Sequence, residues 1–223
     1  MTLAQNQHPA SAVTSTGELL TAYAAGTTSP GLSLLCAAHL TLRPEGRRFV
    51  QMVEEVGGEL LEAEDESSVA PMDFAALLAR LDEGAPEPRG REAGVAGDGP
   101  LPQPILRAAG LGFDQIPWRK RLGGVADYQL DGFEGEKVGL LRARPGARIP
   151  KHTHKGLEAT LVLQGVLRDG GEDHRFGDIA LAGPEDDHIP EIVGDETCYC
   201  LVVIDGALRF TGTFGRALNL FAE

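Results

Sequence analysis

The chain has 223 residues, 33 acidic against 20 basic, and a formal net charge of −13. That balance offers no basic face to phosphates, which argues against direct nucleic-acid binding and suits a basic protein partner instead. No apolar run approaches the length of a membrane span, and the N-terminus lacks the basic and apolar regions of a signal peptide, so a cytoplasmic chain is expected.

Residues 1–15 show no periodicity and are expected to be loosely attached. From Thr16 to Gly26 an N-cap candidate, apolar Leu19, Leu20, Tyr23 and Ala24, and a terminal glycine predict a short amphipathic helix. A second helical pattern runs from Leu32 to about Val56. Pro44 should bend or break it, and Gly57 and Gly58 should end or loosen it. Seven carboxylates follow one another without a basic residue: Glu54, Glu55, Glu59, Glu62, Glu64, Asp65 and Glu66. Such a run forms a solvated face or a docking surface for a basic partner. Near Pro71 another helix is expected. Its residues Phe74, Leu77, Leu78 and Leu81 recur at helical spacing and define one apolar stripe, read as core. So few helices make a marginal core, and some of this apolar surface is expected to need a partner. Gly84 to Pro104 is rich in glycine, proline and charge and reads as a flexible linker.

After the linker, short β-like runs alternate with glycine-, proline- and aspartate-rich turns. They are 118–122, 126–130, 137–143, 160–167, 179–181, 191–193, 197–204 and 208–211. Many short strands indicate a sandwich or barrel. The expected fold class is therefore α+β, with a small helical domain at 1–83, a linker at 84–104 and a β domain at 105–223. Three cysteines, Cys36, Cys198 and Cys200, are too few for a disulfide framework and fit a reducing compartment. Cys198 and Cys200 share one face of a strand, where they are expected as small buried side chains.

The chemistry concentrates in Gly146-Ala-Arg-Ile-Pro-Lys-His152-Thr-His154-Lys-Gly-Leu-Glu158. In an extended segment His152 and His154 point to one side. A turn at Lys155-Gly156 leads into the apolar strand 157–163, and a hairpin-like return would bring Glu158 beside the two imidazoles. Two imidazoles and a carboxylate suit zinc, iron, manganese or nickel. His188, in Glu-Asp-Asp-His-Ile-Pro, is the candidate fourth ligand.

These residues carry a family resemblance. Gly146, His152-x-His154, Glu158 and Gly165 match the first cupin motif at every fixed position. Gly177 to His188 is similar to the second, without its closing Asn. The resemblance implies a small antiparallel, jelly-roll-like barrel with the metal inside. At the other end, Thr21-Ala-Tyr-Ala-Ala-Gly26 and Leu34-Leu-Cys-Ala-Ala-His39 resemble the helical domain of ChrR-type anti-sigma factors. So do the domain order, the phrase from Gly156 to Gly165, and Leu208-Arg-Phe210. This second resemblance implies a protein that sequesters an extracytoplasmic-function sigma factor through its helical domain. Its cupin would bind zinc and sense oxidative stress of the singlet-oxygen type.

The chain departs from that family at the N-terminal zinc site, an early histidine followed by His-x-x-x-Cys-x-x-Cys. His8 and His39 remain, but Arg43 and Gly46 stand where the cysteines belong. Neither can ligate a metal, so an N-terminal zinc is not expected. A makeshift site using Cys36, His39 and Glu45 stays open. Arg43 is expected to pair with a helix carboxylate. In the barrel, His152, His154, Glu158 and His188 would close a four-ligand zinc site, which suits structure or sensing more than catalysis. No catalytic residue is assigned. The rival reading is a metal-dependent cupin dioxygenase that uses the same ligands on a small diketone-like substrate.

Overall fold

A computed structural model describes residues 13–63, 73–75, 78–79 and 99–211. The first helix, α1, spans Thr16–Ala24. Its cap is Ser15, one residue before the expected start. The Ser15 hydroxyl accepts the Glu18 N–H, and the Glu18 carboxylate accepts the Ser15 N–H, a reciprocal capping box. Pro44 divides the next helical stretch as expected, into α2 (Pro30–Leu42) and α3 (Pro44–Glu62). The two glycines do not end α3. Neither Gly57 nor Gly58 takes a positive φ, and the helix runs on to a cap at Ala63. A glycine costs a helix about 1 kcal/mol against alanine, and three flanking turns of good helix formers carry it through.

A further helix, α4 (Gln103–Ala109), begins inside the last residues read as linker, and Leu101 just before it is buried. Residues 84–98 lie outside the described residues. Eleven strands follow among the described residues: β1 (Arg119–Lys120), β2 (Val125–Gln129), β3 (Glu136–Ala143), β4 (His152–His154), β5 (Glu158–Gln164), β6 (Val166–Asp169), β7 (Glu172–His174), β8 (Ile179–Ala182), β9 (Glu191–Val193), β10 (Cys198–Asp205) and β11 (Leu208–Phe210). They form one antiparallel sheet in the order β1-β2-β3-β10-β5-β8, a three-stranded sheet β7-β6-β9, and the pair β11-β4. The segment before β4 runs antiparallel to 188–192: Gly146 and Ile149 donate to the carbonyls of Ile192 and Pro190, and His152 and His188 exchange both backbone bonds. The smaller sheets thus join into a second layer that closes the barrel.

β5 shows how the layers stack. Glu158, Thr160 and Val162 face the barrel interior, where Val162 packs with Leu167, Ala180, Ile192, Cys198 and Cys200. Ala159, Leu161 and Leu163 face the other way and share one apolar cluster with Leu32, Leu35 and Cys36 of α2. The strand is therefore buried on both faces, because α2 lies across the outside of β3, β10 and β5. The apolar surface of α2 finds its cover within the chain. Ser29 and the Gly31 N–H also donate to the Glu136 carboxylate on β3, the latter at 2.8 Å.

α3 is different. Met52, Val56, Leu60 and Leu61 are 53 to 75% exposed. Phe74 and Leu78, expected as core, are helical and exposed as well. Leu77 and Leu81 lie outside the described residues, as does His8.

Candidate metal centre

β4 carries His152 and His154 inward, and both are buried. Pairing with β11 places Leu208 opposite His154 and Phe210 opposite His152. The backbone bridge between His152 and His188 sets those two rings 4.4 Å apart, centroid to centroid. Glu158 reaches the same space from the other wall. It starts β5, which pairs with β10 and β8 and not with β4. The hairpin-like return expected from the sequence is therefore replaced by convergence across the barrel. The turn at Lys155-Gly156 moves the chain from one sheet to the other.

One donor atom from each of His152, Glu158 and His188 lies within 4.8 Å of the other two. His154 is outside that tight group. Its ring centre lies 5.4 Å from that of His188 and 6.2 Å from that of His152.

The hydrogen bonds decide what the cluster can hold. His152 Nδ1 donates to the Pro150 carbonyl at 2.9 Å, His154 Nδ1 to the Gly156 carbonyl at 2.8 Å, and His188 Nδ1 to Asp169 Oδ2 at 2.8 Å. Each bond fixes the proton on Nδ1 and leaves Nε2 as a bare lone pair turned inward. The Nε2 atoms of His154 and His188 are buried without a hydrogen-bond partner. His152 Nε2 lies 3.3 Å from Glu158 Oε2, so two acceptors face each other. Buried acceptors without donors are costly, and a cation among them removes that cost. Donors about 2.0 Å from a tetrahedral ion stand about 3.3 Å apart, so this spacing fits a metal pair. Burial works against a charge on His188, but the Asp169 hydrogen bond and the Glu158 carboxylate outweigh it and raise the pKa. The same field favours a bound cation.

Asp169 was not among the sequence candidates. It sits in a turn-like Asp169-Gly170-Gly171, 19 residues from His188, and only the sheet brings them together. A cleft of about 450 Å³ opens beside His188 between the residues before α1 and the barrel rim, with Thr14, Asp169, Glu172, His174 and Asp187 on its walls.

At the helical end no makeshift metal site forms among the described residues. Burial pushes the Cys36 thiol up to about 12, which keeps it protonated. His39 Nδ1 pairs with the Gly177 carbonyl at 2.8 Å. Arg43 does not pair with a helix carboxylate. It donates to Asp178 Oδ1 and to the Phe176 carbonyl, both at 2.6 Å, on the barrel. Cys198 and Cys200 are buried as expected, with their sulfurs 3.5 Å apart.

A family model described as the ChrR cupin-like domain matches residues 107–207. Over 205 residues, 91% of this chain and 94% of the relative, the chain is 36% identical to the anti-sigma-E factor ChrR of Cereibacter sphaeroides. The chain belongs to the ChrR family of anti-sigma factors. Among solved structures, that of Rhodobacter sphaeroides SigE in complex with the anti-sigma ChrR matches with a TM-score of 0.70 and 34% identity. The match covers 86% of this chain and 97% of that one. This chain carries Arg43 and Gly46 in its helical segment.

Proposed function

We propose that the chain sequesters an extracytoplasmic-function sigma factor through its helical segment, at about residues 16–83, and that its barrel binds zinc and senses oxidative stress in the cytoplasm. The observation that carries this reading is α3. Met52, Val56 and Leu60 recur every four residues along one line of the helix, all exposed, and Leu61 is exposed as well. Four of the five carboxylates of the same helix, Glu54, Glu55, Glu59 and Glu62, stand in its second half. An exposed apolar row rimmed by charge marks a protein-binding surface, and the acidic rim selects a basic partner. The structural relative is itself an anti-sigma in complex with SigE. No described helix is long and apolar enough to cross a membrane.

His152, His154, Glu158 and His188 would hold the barrel metal. Zinc suits this donor set, and it would act there as a redox-inert staple between the two walls of the barrel. The chain's own residues prepare the site. Pro150, Gly156 and Asp169 orient the rings, and the buried surroundings exclude water from their Nε2 atoms. The dioxygenase alternative is not favoured. Kinship with an anti-sigma factor spans the helices as well as the barrel, and four protein donors would leave a tetrahedral ion no open position for oxygen and substrate.

In vitro transcription tests the reading. Full-length protein added to polymerase and an extracytoplasmic-function sigma factor of the same organism should abolish sigma-directed transcripts. Undiminished transcription at excess protein would reject the proposal. Elemental analysis of the same preparation should find about one zinc per chain.

A further inference from the structure

The corner between α2 and α3 sits on a specific turn of the barrel. His39, in the last turn of α2, gives its Nδ1 proton to the Gly177 carbonyl. Arg43, which ends α2 and begins α3, reaches the carbonyl and carboxylate on either side of that glycine, at Phe176 and Asp178. Two glycines make room for these side chains. A Cβ on Gly177 would stand 2.6 Å from Arg43 Nε, and a Cβ on Gly46 would stand 2.8 Å from His39 Nε2. Gly177 also has φ +80, a conformation that side chains disfavour. Arg47 closes the corner by donating to the Leu40 carbonyl. The turn itself is anchored to β5, because Gly177 donates to the Val162 carbonyl at 2.7 Å and Val162 donates to that of Asp178 at 3.0 Å.

We propose that Phe176-Gly177-Asp178 is a seat for the α2–α3 elbow, and that His39 and Arg43 docked on it set the direction in which α3 presents its apolar row. The elbow holds without a metal ion, since guanidinium and glycine offer no ligand. The apolar cluster under α2 supplies most of the adhesion. The Arg43–Asp178 pair, 37 and 39% exposed, adds little to stability by itself. Its contribution is geometric: three directed hydrogen bonds at one hinge point fix an angle that apolar contact alone leaves loose. The consequence for partner binding rests on the proposed function, because α3 matters only if a sigma factor docks there.

Hydrogen exchange on the full-length protein tests the seat directly. Arg43→Ala and Gly46→Val should each raise exchange about tenfold at the amides of residues 39–47, with barrel amides and metal content unchanged. The double charge reversal Arg43→Asp with Asp178→Arg should recover protection that either single reversal loses. Binding of the sigma factor, measured in parallel, should weaken in the single variants and recover in the double. Unchanged exchange at the elbow in both Arg43→Ala and Gly46→Val would overturn the proposal, and so would wild-type sigma affinity in variants whose elbow has loosened. If the unaltered protein captures no sigma factor, the functional reading fails, while the exchange results still decide the seat.

Discussion

Three imidazoles in this barrel are committed by their outer nitrogens. Each Nδ1 has an oxygen acceptor, and that choice leaves Nε2 for a cation. Asp169 is the one charged member of this outer set, so its removal isolates the effect. Asp169→Asn should weaken metal binding roughly 10- to 100-fold in competition with a chromogenic chelator, the range that such supporting carboxylates contribute. Affinity equal to wild type would deny it that role. The candidate donors stand out in the sequence because His, His, Glu and His at these spacings are unusual letters in an unusual order. Asp169 does not, because an aspartate before two glycines reads first as a turn, and its partner lies 19 residues away. His39 gives a second residue-scale expectation. Burial holds its pKa below the ordinary 6.5, the Gly177 carbonyl working against that, with Arg43, Asp178 and Glu45 as its charged neighbours. The unfolded chain therefore binds this proton more readily. Its contribution to stability is present above pH 6.5 and is lost as the pH falls below that value. Denaturant midpoints should drop between pH 7 and pH 5 more steeply in wild type than in His39→Gln. Parallel profiles would refute the assignment.

At the scale of elements, α2 and α3 have opposite fates from similar sequence patterns. Both carry apolar residues at helical spacing, yet α2 is buried against a sheet and α3 keeps its row in solvent. Periodicity names a face but not what covers it. Leu35 is fully buried between α2 and the sheet, so Leu35→Ala should cost about 2–5 kcal/mol in chemical denaturation. Val56→Asp lies on the exposed row and should change stability by only about 0.5 kcal/mol while weakening sigma binding tenfold or more. A stability loss equal to that of Leu35→Ala would show that the row is core. The extent of α3 is hard to read from the sequence because a glycine pair can either end a helix or only loosen it. With ordinary helical dihedrals and open space around both residues, it is only a local weakness.

For the whole molecule, the short strands and glycine turns made the barrel legible, since each turn needs its own residue type and the chain spells them out. The stacking of helices on barrel was harder to see. One signal existed: in the run Leu-Glu-Ala-Thr-Leu-Val-Leu at 157–163 the face turned away from Glu158, made of Leu157, Ala159, Leu161 and Leu163, is wholly apolar, as a face covered by another element must be. That cover is α2, which ties the helical segment and the barrel into a shared core through Leu35, Leu161 and Leu201. The barrel proposed to sense stress and the helix proposed to bind a partner are then joined through one apolar cluster. The central claim is that α3 holds a sigma factor. Calorimetric titration of full-length protein with an extracytoplasmic-function sigma factor of the same organism tests it most directly. A saturable one-to-one complex that is lost when Val56 and Leu60 are both changed to Asp is the predicted result. Absence of binding, or binding indifferent to that pair of substitutions, would contradict it.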